Sequence, residues 1–170
     1  MGPRTFVLLL ILLALGCSPQ KQAIRKVDGG TKSSAPLPRV DAISLQAMPT
    51  AVNWDDQPGP DGLQIRLHLF QQTQPMPVVL ERGQLEAVIY EGRVKAKQLS
   101  AAKPFYKWDY SAGALNRVKS KSIVGWGYRL SLGWNENVPK TDTITLSVRL
   151  MNPNGAPLYA KPIYLAMGPK

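Results

Sequence analysis

The chain has one cysteine and one histidine in 170 residues, and only 11 acidic side chains against 21 basic ones. A single cysteine cannot close an internal disulfide. One cysteine and one histidine cannot build a Cys/His zinc site. Without a second cysteine there is no Cys–Trp–Cys framework, which excludes an antibody-type immunoglobulin domain. Long apolar runs are also missing. Phe6 to Leu15 is continuously apolar, but as a helix it would rise roughly 15 Å, half of a bilayer core of about 30 Å. A membrane span is not expected. No helical pattern of ordinary length is evident elsewhere.

What stands at the N-terminus is a different signal. Arg4 precedes the apolar run, and Ala14-Leu15-Gly16 meets the small-x-small rule of a secretory cleavage site. Cys17 and Ser18 come directly after it. This stretch resembles the lipobox of bacterial lipoproteins. The resemblance covers residues 1–17. It implies a signal peptide over 1–16, cut before Cys17, and diacylglycerol on the Cys17 thiol. Stable anchoring takes more than one acyl chain, and a lipoprotein modification supplies two or three. Ser18 rather than Asp after the cysteine favours the outer membrane, where the envelope has one. A thiol blocked in this way is no nucleophile.

Removal of residues 1–16 takes away Arg4 and leaves 20 basic against 11 acidic residues, a net charge of +9. That charge favours anionic partners such as lipid head groups, wall polymers or acidic proteins. Export argues against nucleic acid. Residues 17–40 comprise the lipidated cysteine and a tether rich in Lys, Gln, Gly, Ser and Pro, without apolar period.

From Asp41 the pattern turns to period two, and residues 41–170 read as one domain. Ile43, Leu45 and Ala47 alternate with polar neighbours, as do Leu63, Ile65, Leu67 and Leu69. Leu85, Ala87 and Ile89 alternate with Glu86, Val88 and Tyr90, and Tyr106 to Tyr110, Trp126 to Trp134 and Ile144 to Leu150 keep the same period. Leu158 to Leu165 is a weaker strand, with Pro162 pointing to an edge. A short strand is added at Val78 to Leu80. Asp61-Gly62, Arg82-Gly83, Asn135 to Lys140 and Asn152 to Gly155 carry turn chemistry. Ser111 is placed to cap a single helical turn running to Val118. Seven or eight strands with one apolar face each need a second sheet to cover them. The expected fold is all-β, an antiparallel two-sheet β-sandwich, immunoglobulin-like or transthyretin-like in order.

Enzyme chemistry is poorly supplied, and neither a catalytic residue nor a cofactor is expected. His68 sits mid-strand on the face opposite Leu67 and Leu69, which reads as a surface histidine. Glu81, Glu86 and Glu91 are too scattered to frame a carboxylate pair. Asn53 to Gly62 holds Asp55, Asp56 and Asp61, oxygen donors for Ca²⁺. The spacing is not that of an EF-hand, and the competing reading is a turn whose Asp side chains cap backbone amides. Tyr106, Trp108, Tyr110, Trp126, Tyr128 and Trp134 are core residues or, alternatively, a sugar-stacking strip. Arg93, Lys95, Lys97, Lys103, Lys107, Arg117, Lys119 and Lys121 stand against Asp109 alone. They are candidates for contact with an anionic partner.

The Asn-Asp loop before an apolar strand, Asn53 to Phe70, resembles that of the small outer-membrane lipoprotein of the contractile type VI secretion machinery. That family carries a transthyretin-like sandwich behind a lipobox. The resemblance spans some twenty residues and transfers no functional residue. The expected function is therefore a non-catalytic, lipid-anchored binding or structural module of the cell envelope. The alternative is a glycan- or solute-binding sandwich using the aromatic strip.

Overall fold

The computed structural model describes residues 39–153 and 155–168. The expected signal peptide, Cys17 and the expected tether up to residue 38 lie outside the described residues. Val40, expected as the end of the tether, is instead 5% exposed and packs into the core.

Among the described residues, ten strands make two antiparallel five-stranded sheets, joined by connections that hold one short α-helix and one turn of 3-10 helix at Ala96–Gln98. Sheet A contains β1 (Ala42–Ala47), β2 (Gly62–Gln71), β3 (Gln74–Val78), β6 (Lys119–Ser122) and β7 (Gly125–Gly133). Its order is β1-β2-β7-β6, with β3 also pairing β2. Sheet B contains β4 (Gln84–Glu91), β5 (Tyr106–Ser111), β8 (Thr143–Met151), β9 (Leu158–Tyr159) and β10 (Ile163–Ala166). Its order is β10-β8-β4-β5, with β9 also pairing β8. The chain crosses from A to B after β3, returns through α1 (Ala112–Arg117), and crosses again after β7.

The core lies between the sheets. Leu63, Ile65, Leu67 and Leu69 of β2 meet Leu85, Ala87 and Ile89 of β4 and Ile144, Leu146, Val148 and Leu150 of β8 in one buried cluster. These are the alternating positions of each strand. Each large aliphatic side chain removed from water there contributes about 1.5–3 kcal/mol. Ser111 caps α1 as expected, its hydroxyl accepting from the Ala114 amide at 3.2 Å.

Three strands depart from the sequence reading. β6 is Lys-Ser-Lys-Ser, with no apolar alternation; lysines suit an edge that must not recruit another chain. β3 covers Gln74–Val78 rather than 78–80, and its two prolines fit an edge strand that pairs only β2. The single final strand is two pieces, β9 and β10, laid along the same edge of β8 and separated at Pro162.

Candidate functional site

A clustered set of charged and aromatic side chains lies on the outer face of sheet B. Glu86, Val88 and Tyr90 of β4 point away from the core, beside Ser147 and Arg149 of β8 and Lys107 of β5. The β4–β5 connection, residues 92–105, crosses this face and covers it. Hydrogen bonds pin its start. Val94 N–H donates to Thr145 Oγ1 at 2.9 Å, and that hydroxyl donates to the Gly92 carbonyl at 2.7 Å. Tyr164 of β10 donates to the Val94 carbonyl at 3.4 Å, with the Arg93 guanidinium 5.5 Å over its ring. Between this cover and the sheet is a cleft of about 650 Å³. Its walls are apolar at Val88, Leu99, Ala102, Pro104 and Ala160, and one end is ionic.

The ionic end is built on Glu86, which is 5% exposed. Lys107 Nζ lies 2.9 Å from one carboxylate oxygen and Arg149 Nε 2.5 Å from the other. Lys107 also reaches Asp109 at 3.1 Å, and Arg149 Nη1 donates to the Tyr159 hydroxyl at 3.4 Å. Burial opposes ionisation of Glu86, but the Arg149 guanidinium and the Lys107 ammonium outweigh it. They hold its carboxyl below the ordinary carboxylate range. Glu86 and Asp109 in turn raise Lys107, and Glu86 raises Arg149. Burial pushes Tyr90, which lines the same cleft, upward. A carboxylate saturated by two cations is not poised to exchange protons near neutrality. It orients the Arg149 and Lys107 side chains at the mouth of the cleft.

The sequence singled out Lys107 but missed Glu86, Arg149 and Tyr90. One signal was present. Val88 and Tyr90 are apolar at the positions of β4 that alternate with its core residues. A strand apolar on both faces is covered on both faces, and β4 is buried from Leu85 through Tyr90.

The eight basic residues do not form one patch. Arg93, Lys95, Lys97 and Lys103 lie on the connection over sheet B, and only Lys97 and Lys107 line the cleft. Arg117, Lys119 and Lys121 lie beyond β5, on α1 and β6. There Lys119 sits 5.3 Å over the Trp126 ring. The aromatic set is also divided. Tyr128 and Trp134 are fully buried, and Tyr106, Trp108 and Tyr110 pack half-buried against the core. Their polar ends bond inside: Trp108 Nε1 donates to the Gly133 carbonyl at 2.9 Å and Trp134 Nε1 to that of Pro60 at 2.8 Å. Tyr128 Oη accepts from Leu80 N–H at 2.7 Å. Trp126 alone of the six is exposed.

In the Asp loop two of the three carboxylates, those of Asp55 and Asp61, are turned to the backbone. Asp61 Oδ2 accepts from the amides of Trp54 and Asp55. Asp55 Oδ1 accepts from Gln57 at 2.8 Å, and Asn53 Oδ1 from Asp55 at 3.0 Å. Asp55, Asp56 and Asp61 do not converge; among the described residues no three His, Cys, Asp or Glu side chains gather as a metal site. The loop also carries Trp54, whose ring lies on Gly62. A Cβ at Gly62 would fall 2.3 Å from the Leu132 carbonyl and 2.5 Å from that ring.

His68 is not the surface residue the alternation implied, being only 5% exposed. The reason lies on the neighbouring strand, where the His68 ring comes up against Gly127 of β7. A Cβ on Gly127 would come 2.8 Å from the imidazole, so the ring lies down on β7 backbone that only glycine leaves bare. Comparison with protein-family models, curated proteins and solved structures finds no match to this chain.

Proposed function

We propose that this protein is a non-catalytic, lipid-anchored module of the cell envelope, tethered through Cys17 to the outer membrane where there is one. It holds a protein or polymer partner in the outer cleft of sheet B. The observation that carries this reading is the cleft itself: about 650 Å³, walled in part by apolar side chains, with the Arg149 and Lys107 cations fixed at one end. Its buried carboxylate, Glu86, is neutralised within the protein. Apolar concavities with a few placed polar groups are the usual form of a binding site. The lipobox resemblance and the net charge of the mature chain support an anchored position beside anionic material. The aromatic strip of the alternative reading has less support, since five of its six members are spent on the core.

The test is crosslinking in cells, with a photoreactive residue in place of Leu99 in the cleft or of Thr73 in the distant β2–β3 turn. The expected outcome is a discrete adduct from the Leu99 position alone, lost when Cys17→Ser removes the acyl chains and the protein leaves the membrane fraction. Equal adducts from both positions would refute the cleft. Unchanged membrane fractionation in Cys17→Ser would refute the anchor.

A further inference from the structure

The outer face of sheet A carries a second arrangement, independent of the cleft and of the anchor. Along β2 and β7 the outward positions pair as Gly62 with Gly133, Gln64 with Ser131 and Arg66 with Arg129. Trp54 lies on the glycine pair at one end and His68 on Gly127 at the other. The two arginines stand directly opposite each other between these aromatic ends. Side chains so placed have Cβ atoms about 4.5–5.5 Å apart, and like charges there repel.

Nothing in the sheet relieves that repulsion. No strand of sheet A contains an aspartate or glutamate. Among the described residues neither Arg66 nor Arg129 has an ion-pair partner. Arg66 is half-buried on the central strand β2. The pair lines a depression of about 330 Å³ together with Gln46, Met48 and Gln64, and the two glutamine amides supply neutral donors. His68 adds an unsatisfied group: its Nε2 is buried without a hydrogen-bond partner among the described residues.

We infer that the Arg66–Arg129 pair is a binding site for a phosphate-type oxyanion, free or on a lipid head group. Two guanidinium forks converging on one anion match the oxygen geometry of phosphate, and do so better than two ammonium groups. The anion removes the repulsion between the arginines, so the empty site is the strained one. A face this open is screened by salt, because the Debye length is about 8 Å at physiological ionic strength.

His68 offers a readout that does not depend on stability. It is the sole histidine, so its ring protons titrate alone in a proton NMR spectrum. Burial and the nearby Arg66 charge both lower its pKa. Its cross-strand partner Ser44 on β1, and Gly127 of β7 beneath its ring, are uncharged. An anion on the arginines cancels the Arg66 contribution, so the His68 pKa should rise.

The test uses the full chain carrying Cys17→Ser, so that no acyl chain holds it on lipid. Titration with glycerol phosphate at low salt, and with phosphatidylglycerol vesicles against phosphatidylcholine vesicles, distinguishes a free phosphate from a head group. Expected are saturable binding to at least one anionic probe, an upward His68 pKa with glycerol phosphate where that probe binds, and loss of binding as salt rises. Arg66→Gln with Arg129→Gln should weaken binding by about tenfold or more, the scale of lost charge-assisted hydrogen bonds. Arg82→Gln with Lys161→Gln, at exposed positions outside the strands of sheet A, should leave it unchanged. The Arg66→Lys, Arg129→Lys pair keeps the charge and should bind at an intermediate level. Binding to neither probe, or binding that survives the glutamine pair, would overturn the inference.

Discussion

Sheets A and B turn the same kind of face inward and two different faces outward. Sheet B has acids and bases on adjacent strands, Glu86 and Asp109 beside Lys107 and Arg149, and they neutralise one another. A fourteen-residue connection then covers much of that face, so β4 is buried on both sides. The strands of sheet A contain cations and no acid, and the middle of their outer face is open at Gln46 and Arg129. The contrast separates two uses of charge in one sandwich. Where opposite charges meet under cover, they hold one another in fixed positions. Where like charges meet in the open, they are unfinished until something outside the chain supplies the counter-charge.

The largest expected effect tests the common inward face. Leu67→Ala, at a fully buried position, should cost about 2–5 kcal/mol. Its outward neighbour Arg66→Ala should stay within about 0.5 kcal/mol. Between them, Glu86→Gln should cost about 1–3 kcal/mol, since it leaves the Arg149 and Lys107 side chains short of their acceptor. Urea melts would measure all three. Equal losses for Leu67→Ala and Arg66→Ala would break the assignment of faces, and a harmless Glu86→Gln would break the contrast between the sheets.

Acid should sharpen the comparison, because each face carries one group with a depressed pKa. For His68 the folded value lies below the ordinary one, so the unfolded chain takes up the proton first. Its contribution is lost as pH drops below about 6.5. For Glu86 the folded value is also depressed. Its stabilisation is present above about pH 4.3 and is lost as pH falls through the folded value. Stability measured against pH should therefore flatten in the upper window for His68→Gln and in the lower window for Glu86→Gln. Exchange of the two windows would show that the groups are misassigned.

The smallest expected effect is none. Ca²⁺ or a chelator should leave the melting temperature unchanged, because Asp61 and Asp55 already accept backbone amides. A melting temperature that rises with Ca²⁺, and loses that rise in Asp55→Asn, would make the loop a cation site.

The alternation of Leu63 to Leu69, Leu85 to Ile89 and Ile144 to Leu150 was enough to establish strands, an apolar side to each, and hence a two-sheet sandwich. Ser111 was enough to place the helical turn. Such features are local, decided by a residue and its neighbours two to four places away. β6 escaped because an edge strand with lysines keeps no apolar period, and the break at Pro162 hid two strands inside one. His68 escaped because its cover is an absence of side chain at Gly127, 59 residues on. The two charged outer faces belong wholly to the tertiary structure. Glu86 meets Arg149 only because β4 pairs β8 in that register, and Arg66 meets Arg129 only because β2 pairs β7. Period two tells which way a side chain points but not which strand lies beside it. The partner strand, and with it whether a charge finds its opposite or its like, is settled when the sheets assemble.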